Sequence, residues 1–265
     1  MRVMYNRGGV RINKLEIAAT KFRIGLSRAF PHNKKHRFCS VILCAAGSGT
    51  RMGGVSKQLI EILGKPCFVY SALAFENSPE VDEIIISARA DQVDEVRMLC
   101  NRYSLKKVAS VTAGGVTRQE SVKLGFNKLS DKSEIIMIHD AARPMITASD
   151  VSLLYQKACR YGASCASTPV TDTVKRADPH GVILETVPRD DLHLVQTPQV
   201  FLTDLYRVSL ALAERDGVIA TDDCALAEHA GFSVQLVQLS IPNVKITRKD
   251  DLELVTSLLK ERVNA

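Results

Sequence analysis

The sequence lacks the apolar segments that membrane and secreted proteins carry. No run reaches the ~18 apolar residues needed to cross a bilayer, and the amino terminus has no long apolar core of the signal-peptide kind. Internal repeats and low-complexity segments are absent as well. The 265 residues, 46% apolar and 24% charged, have the composition of a globular protein that buries a full core. We expect one large domain, with or without an appendage, in a bacterial cytoplasm and without a membrane partner.

Paired cysteines are missing too. The seven cysteines form no Cys-x-x-Cys pair and have no histidine at metal-ligand spacing, and most of their neighbours are apolar. An odd number of such cysteines is typical of buried free thiols in a reducing compartment. The pattern argues against a metal–thiolate site.

Acidic residues are scarce in one region, the first 38 residues. This segment holds ten of the 35 Lys and Arg residues and a single acid, Glu16, so its net charge is +9 while the rest of the chain carries −3. We interpret residues 1–38 as a weakly ordered basic extension and residues 39–265 as the domain. Two alternatives stay open: an organelle transit peptide, which would change the location, and a basic arm for RNA or an anionic surface. Because the domain itself is mildly acidic, we expect no nucleic-acid partner for it.

Two common phosphate-binding motifs are also absent. No segment ends in the Gly-Lys-Ser/Thr of a Walker A loop. The dinucleotide motif Gly-x-Gly-x-x-Gly fails because Met52 follows Gly47 and Gly49 where the third glycine belongs. These absences argue against a P-loop enzyme and against an NAD-dependent oxidoreductase.

The sequence does contain an apolar strand, residues 41–43, that leads into a loop of small residues and two cations. These residues are Ala45, Ala46, Gly47 and Gly49, then Arg51 and Lys57. Small residues let a ligand approach backbone amides that bind anions, and the cations add charge where a polyphosphate would lie. A strand-to-helix turn with incidental surface cations is the plainer interpretation of the loop alone. Together with the segments below, the loop predicts a site for a nucleoside triphosphate.

Apolar runs alternate with helical patterns along the chain. The predicted strands cover residues 41–43, 83–87, 134–138, 163–167 and 234–239. The predicted helices cover residues 66–76, 91–101, 118–128 and 149–161, the last with Ser149 as N-cap and Gly162 as C-cap. This order predicts an α/β fold, with a mostly parallel sheet covered by helices on both faces and ligands at the carboxyl ends of its strands.

Residues 170–199 break this alternation. Two short β-like runs, 173–176 and 182–187, flank a Pro-His-Gly turn at residues 179–181. The pattern predicts an antiparallel hairpin that projects from the domain. A projecting arm with exposed aliphatic side chains is typical of an oligomer contact, and a simple surface flap is the alternative.

Asp140 follows the apolar residues 134–138 at the point where the predicted strand meets solvent. A carboxylate there, beside a triphosphate, is a natural Mg²⁺ ligand, because Mg²⁺ takes few protein carboxylates and shares phosphate oxygens. The alternative is a capping Asp beside a surface Arg. We interpret the adjacent His139 as a hydrogen-bonded structural residue and not as a general base, since an attacking phosphate is already ionised.

Several segments together resemble the methylerythritol phosphate cytidylyltransferases, a family of nucleotidyltransferases with a Rossmann-like sheet. The loop pattern Ala-Ala-Gly-x-Gly-x-Arg-Met of residues 45–52 is shared with sugar-nucleotide pyrophosphorylases and molybdopterin guanylyltransferases, whereas His-Asp-Ala-Ala-Arg-Pro at 139–144 is specific to this family. The supporting segments are residues 114–121, 170–175 with 188–189, 196–199, 221–223 and 243–247. The resemblance extends from about residue 41 to residue 259.

The resemblance implies a reaction, a cofactor and an assembly. CTP and 2-C-methyl-D-erythritol 4-phosphate would give the CDP-linked product and pyrophosphate in the non-mevalonate isoprenoid pathway, with Mg²⁺ on Asp140. The arm would join two copies in a homodimer. The loop has one residue fewer between Arg51 and Lys57 than several family members, which bears on the reach of Lys57.

The resemblance also implies residue roles. The implied catalytic residues are Arg51, Lys57, Asp140, Thr173, Arg189 and Lys245. The implied nucleotide-binding residues are Ala45, Ala46, Gly47, Gly49, Gly114, Arg118 and Ser121. The implied substrate-binding residues are Arg143, Thr173, Arg189, Thr197, Thr221 and Lys245.

Two other functions remain as alternatives. One is a different nucleotidyltransferase, such as a guanylyltransferase that uses GTP, which the Arg-Met-Gly-Gly run at residues 51–54 suggests. The other is a nucleotide-binding module without chemistry, or one whose basic extension binds RNA.

Overall fold

A computed structural model of the chain describes residues 14–29, 36–47 and 56–264. Within those ranges, no helix combines the length and the apolar character needed to span a bilayer. All seven cysteines are free thiols, five of them buried and Cys44 and Cys159 partly buried. The predicted free thiols are confirmed; the reducing compartment stays a prediction.

The strands follow one another along the chain as β1 (Cys39–Ala45), β2 (Glu61–Ile62), β3 (Lys65–Pro66), β4 (Glu83–Ala88), β5 (Val108–Ala113), β6 (Ile135–Asp140), β7 (Ala163–Pro169), β8 (Val174–Ala177), β9 (Ile183–Val187), β10 (His193–Leu202) and β11 (Gln235–Gln238). Seven of them form one sheet in the order β11-β7-β10-β6-β1-β4-β5. Only β10 runs antiparallel to its neighbours, and the other pairs are parallel. The predicted mostly parallel sheet is confirmed.

The helices are α1 (Lys14–Ala29), α2 (Cys67–Glu76), α3 (Val93–Arg102), α4 (Arg118–Phe126), α5 (Ala148–Tyr161), α6 (Thr203–Asp216), α7 (Asp223–His229) and α8 (Lys249–Asn264). Alternate residues of β1 point to opposite faces of the sheet, as the strand period requires. Val41 and Leu43 pack in one apolar cluster with residues of α2, α3 and α5. Ile42 packs in the other, with residues of α4, α6 and α7. Helices therefore cover both faces, as predicted.

Helix α5 begins at Ala148, and its N-cap lies two residues before the predicted one. Thr147, not Ser149, is the N-cap: its hydroxyl accepts from the Asp150 backbone, and the Asp150 carboxylate accepts from the Thr147 backbone. This reciprocal pair satisfies two backbone donors at once, which a Ser149 cap could not do. The predicted C-cap, Gly162, does end the helix with φ 91°.

The predicted hairpin is present as β8 and β9, which form a separate antiparallel sheet. We call residues 174–187 the arm. Asp178 closes its turn by accepting from the Gly181 and Val182 backbone groups. Residues 193–199 of the predicted arm segment belong instead to β10, because they pair with β7 and β6 in the central sheet.

Part of the amino-terminal extension forms a helix on the domain. Helix α1 packs against α5 and α6, and Ile24 fills the space that a side chain at Gly162 would occupy, 2.9 Å from the position of its Cβ. Leu15 and Phe22 face solvent. Residues 1–13 and 30–35 lie outside the described ranges, so the weakly ordered extension stays a prediction.

Candidate active site

The candidate site lies where β1 and β6 end. The two strands are parallel, and Cys44 of β1 pairs with Asp140 of β6. Ala45 is the last residue of β1, and Ala46 and Gly47 therefore leave the sheet near Asp140, at the carboxyl edge where such sheets bind ligands. Gly49 and Arg51, which carry two of the predicted roles, lie outside the described residues.

Gly114 closes one side of the site at a point that admits no side chain. A Cβ at this position would lie 2.5 Å from the Cβ of Ala46, 2.8 Å from the Oγ of Ser121 and 2.9 Å from the Oγ of Ser87. Real Cβ atoms do not approach so closely, so only glycine fits. The structure thus brings together Ala46, Gly114 and Ser121, three residues predicted to bind the nucleotide.

Ser121 and Thr117 hold the backbone around Gly114. The Ser121 hydroxyl accepts from the Gly115 backbone at 3.0 Å and donates to the Thr117 carbonyl at 2.9 Å. Thr117 is the N-cap of α4 and accepts from the Glu120 backbone. The start of α4, with Arg118 as its first residue, is therefore fixed against the sheet edge.

Gln58 holds the opposite side, and the sequence analysis did not single it out. Its amide donates to the Ala45 carbonyl at 2.5 Å and to the Gly47 carbonyl at 3.2 Å. The neighbouring Lys57 donates to the Thr247 carbonyl at 3.2 Å. The segment after the small-residue loop is thereby tied both to β1 and to the segment that carries Lys245.

The Asp140 carboxylate is shared by two cations. Arg118 donates to Oδ1 through Nε at 3.2 Å, and Lys245 donates to Oδ2 through Nζ at 2.7 Å. Burial alone would raise the pKa of Asp140, but the charges of Arg118 and Lys245 lower it well below its usual range. Asp140 is therefore a carboxylate at every physiological pH.

Thr197 and His139 fix the backbone at Asp140. The Thr197 hydroxyl accepts from the Asp140 backbone at 3.0 Å and lies 3.2 Å from Nδ1 of His139. The other ring nitrogen lies 3.2 Å from the Arg143 carbonyl, which can only accept. His139 thus carries its proton on Nε2, and burial lowers its pKa to about 4. These contacts support the structural interpretation of His139.

Arg143 is linked to Thr197 through one further residue, Asn243. It donates to the Asn243 carbonyl at 2.7 Å, while Asn243 donates to the Thr197 carbonyl at 2.7 Å. Burial lowers the pKa of Arg143. Arg143 and Thr197, two predicted substrate-binding residues, are therefore joined through Asn243.

Unsatisfied buried polar atoms concentrate in this site. Among the described residues, the buried side-chain nitrogens and oxygens without a partner are Nη2 of Arg118, Nε of Arg143 and Oδ1 of Asn243. Each such atom costs about 1–3 kcal/mol if it stays unpaired, so a partner such as water, an ion or a ligand is expected beside it. Two of the three are donors on cations, which suits a polyanionic ligand.

Asp223, Gln199 and Tyr206 extend the site, and none of them has a role among the sequence predictions. Asp223 accepts from Nη1 of Arg118 at 2.7 Å and from the Tyr206 hydroxyl at 2.7 Å. Gln199 accepts from the Asp223 backbone at 2.9 Å. Gln199 and Asp223 lie in two of the segments that carry the family resemblance. No sequence pattern joins Asp223 to Arg118, which lies 105 positions away, and Tyr206 lies in none of these segments.

Three predicted residues lie apart from the Asp140 cluster, by which we mean Asp140 and its partners Arg118, Lys245 and Thr197. Thr173 stands at the base of the arm, and both it and Arg189 are exposed. Arg189 donates to the Thr171 carbonyl. Thr221 is exposed just before α7. Within the described chain, no hydrogen bond joins these three residues to Asp140.

The site suits a metal held mainly by phosphate oxygens. Among the described residues, no three His, Cys, Asp or Glu side chains are grouped as a metal cage. Asp140 supplies one carboxylate that stays ionised, and Mg²⁺ needs no more than one or two when phosphates share it. The residues present therefore fit Mg²⁺ bound together with a nucleotide.

A mostly parallel sheet with glycine at a close backbone contact, one ionised carboxylate and several cations at its carboxyl edge is the arrangement expected of a nucleotidyltransferase. Comparison with protein families agrees: the model for IspD, 2-C-methyl-D-erythritol 4-phosphate cytidylyltransferase, matches residues 39–261. The chain belongs to this family, and the resemblance found in its motifs is confirmed.

Curated relatives of that name share more than a third of their residues with this chain. The protein from Halalkalibacterium halodurans is 39% identical over 224 residues, which cover 84% of this chain and 97% of the relative. The protein from Alkaliphilus metalliredigens is 36% identical, with 84% and 93% covered. Residues 1–38 precede the family match.

Solved structures show the same fold. The 4-diphosphocytidyl-2C-methyl-D-erythritol synthase from Anaerococcus prevotii superposes with a TM-score of 0.75 at 27% identity, covering 85% of this chain and all of that one. The cytidylyltransferase from Thermus thermophilus gives a TM-score of 0.70 at 29% identity, with 84% and 99% covered.

Proposed function

We propose that this protein transfers the cytidylyl group of CTP to 2-C-methyl-D-erythritol 4-phosphate in the non-mevalonate route to isoprenoid precursors. A phosphate oxygen of the sugar phosphate attacks the α-phosphorus of CTP, the bond to the β-phosphate oxygen breaks, and pyrophosphate leaves. The observation that carries the proposal is the ionised Asp140 held between Arg118 and Lys245 beside the Ala46–Gly114 contact. Family membership names the substrates.

The backbone cradle binds the nucleoside. The lack of a side chain at Gly114 allows its backbone to lie close to Ala46, and Ser121 holds the neighbouring Gly115 backbone in place. Main-chain donors and acceptors at fixed positions distinguish a pyrimidine from a larger purine by shape and by hydrogen bonding.

The cations stabilise the transferring phosphate. Lys57, Lys245 and Arg143 surround the carboxyl ends of β1 and β6 and are held there by protein acceptors. Phosphoryl-type transfer needs little covalent help, so positioning and charge neutralisation supply most of the catalysis. Arg51 has the same proposed role.

Asp140 is the proposed protein ligand of Mg²⁺. The ion neutralises charge on the phosphates and orients them when it is bound. Thr197 holds the Asp140 backbone, and Arg118 and Lys245 keep the carboxylate ionised. The chain's own contribution is thus a single anionic oxygen donor in a fixed position.

The arm is the proposed dimer contact. Val182, Ile183 and Leu184 each expose about three fifths of their surface (61%, 60% and 61%), which is costly for aliphatic side chains without a partner. In a homodimer the arm would also carry Thr173 and Arg189 toward the sugar phosphate of the neighbouring copy. A surface flap remains the alternative.

The test is pyrophosphate release by the purified protein with Mg²⁺ and each of CTP, UTP, GTP and ATP, with and without 2-C-methyl-D-erythritol 4-phosphate. We expect release only with CTP and only when the sugar phosphate is present. Release with GTP would favour the guanylyltransferase alternative, and binding of CTP without release would favour a module without chemistry. The cytoplasmic location and the alternative of organelle targeting stay predictions.

A further inference from the structure

The guanidinium of Arg118 is divided between two carboxylates. Nη1 donates to Asp223 at 2.7 Å, whereas Nε donates to Asp140 at the longer distance of 3.2 Å. Nη2 is buried without a partner. A guanidinium can bind one carboxylate through two parallel hydrogen bonds, but here it makes only a single, long one to Asp140.

Asp223 cannot follow Arg118, because it is buried and is held by two other residues. It exposes 1% of its surface, its Oδ1 accepts from Tyr206 at 2.7 Å, and its backbone donates to Gln199 at 2.9 Å. Arg118 itself begins α4 beside the Thr117 cap. The side chain of Arg118 is therefore held between Asp223 and Asp140 and leans toward Asp223.

Because Arg118 donates to both carboxylates, it makes only one hydrogen bond to Asp140 and leaves the Asp140 oxygens more open to another cation. If both donors of the Nε–Nη2 edge closed on Asp140, a two-bond ion pair would compete with any cation that approaches the carboxylate. The hydrogen bond from Nη1 to Asp223 opposes the rotation of the guanidinium that such an ion pair would require. Lys245, which binds the other oxygen, is 42% exposed, so its side chain has room on the solvent side to turn away when a ligand arrives.

We propose that Asp223 is a positioning residue that draws Arg118 away from a two-bond ion pair with Asp140 and so leaves the Asp140 carboxylate able to accept a divalent cation. The proposal rests on the proposed function, in which Mg²⁺ on Asp140 accompanies CTP. Asp223 acts through Arg118 and contacts neither nucleotide nor metal in this role.

The test measures Mg²⁺ dependence without turnover. Binding of CTP is followed by calorimetry over a series of Mg²⁺ concentrations, with no sugar phosphate present, and the Mg²⁺ midpoint is compared between variants. Asp223→Asn keeps the shape and removes the charge, and we expect its midpoint to rise about tenfold, the usual result when a group that orients a metal ligand is lost. Asp223→Glu, which restores the charge, should return the midpoint toward that of the wild type.

Asp222 supplies a matched control. Its carboxylate caps α7 by accepting from the Ala225 backbone and from Gln199, and it makes no hydrogen bond with Arg118. Asp222→Asn removes one charge from the neighbouring position, so a general loss of negative charge or of α7 stability would appear there as well. We expect its midpoint to match the wild type.

Tyr206→Phe tests the same idea if Asp223→Asn fails to fold. It keeps the ring, removes the hydroxyl that holds Asp223, and should raise the midpoint by a smaller factor. Equal midpoints for wild type, Asp223→Asn and Tyr206→Phe would overturn the inference and leave the proposed function intact. If the wild type binds CTP with an affinity that does not depend on Mg²⁺, the metal site of the proposed function is overturned instead.

Discussion

Around Asp140, charged side chains from β6, α4, α7 and the segment before α8 are joined by hydrogen bonds, and Asp140 and Asp223 are almost fully buried. The arm has the opposite construction: its ion pair between Arg176 and Glu185 is mostly exposed, and its aliphatic side chains face solvent. Buried charge pairs cost several kcal/mol to break, whereas exposed pairs contribute about 0–1 kcal/mol. Within the described residues, the side chains around Asp140 are therefore held by one another, whereas the aliphatic side chains of the arm are exposed.

The largest effect is expected at Asp140, and a matched arm variant sharpens the contrast. Asp140→Asn keeps the shape but leaves Arg118 and Lys245 without their shared anion, so pyrophosphate release should fall about a thousandfold. Glu185→Gln breaks the exposed arm pair and should change the rate less than about twofold. The assay is pyrophosphate release with CTP, and circular dichroism checks the fold. A tenth of wild-type activity in folded Asp140→Asn would contradict the central place of this carboxylate.

Acid should lower the free energy of unfolding through the buried His139, and not through the exposed arm. Its pKa is about 4 in the folded protein and about 6.5 when unfolded, so between these pH values only the unfolded chain takes up a proton. Stability is complete above pH 6.5 and falls by up to about 3 kcal/mol as the pH drops toward 4. Urea unfolding at pH 7.5 and 4.5 measures the change. His139→Gln should flatten it, whereas His180→Gln on the exposed arm turn should not; an unchanged slope in His139→Gln would count against the assignment.

Lys57 tests whether the cations act in the transition state. Its amine is held at the Thr247 carbonyl beside the Lys245 segment. Lys57→Ala should lower kcat about a hundredfold, about 3 kcal/mol, with a much smaller change in the calorimetric affinity for CTP. Lys65→Ala removes a cation that lies over the Tyr70 ring instead and serves as the control. Equal losses in kcat and in CTP affinity would exclude a role specific to the transition state.

The arm should show the smallest effect, and a selective one. Ile183→Asp places a charge on an exposed aliphatic position and should dissociate the proposed dimer, which light scattering detects. Affinity for CTP should stay unchanged, since the arm makes no hydrogen bond with the Asp140 cluster in the described chain. Turnover with the sugar phosphate should fall about tenfold, because its orientation would be lost. A monomeric wild type, or a dimeric variant, would show that the arm is a surface flap.

The central strands could be predicted because burial on both faces makes them continuous apolar runs. Residues 83–87 and 134–138 were found in this way. In the structure the first strand ends one residue later, and the second begins one residue later and ends two residues later. β5 lies at the edge of the sheet, where exposed and buried residues mix, so it has no such run and was missed. The Thr147 cap was missed for a different reason: Ser149 is an equally good capping residue, and only the bond to Asp150 decides between them.

For the site, the sequence could supply residues within compact motifs but not the contacts between them. Asp140 and Gly114 lie in short segments whose residue types suggest their chemistry. Asp223 reaches Arg118, and Tyr206 reaches Asp223, only after α4, α6 and α7 have packed around β1. Arg118 and Asp223 are 105 positions apart and Tyr206 and Asp223 are 17 apart, and no local pattern in one sequence indicates that either pair is in contact.

The lack of space at Gly114 has a consequence for inhibition. Every substitution there adds a Cβ within 3 Å of Ala46, Ser87 and Ser121, so resistance by mutation of this residue would deform the proposed nucleotide site. A compound whose recognition rests on the Gly114 main chain would bind atoms that no codon change can remove. The same tightness that shapes the cradle thus makes it a durable target.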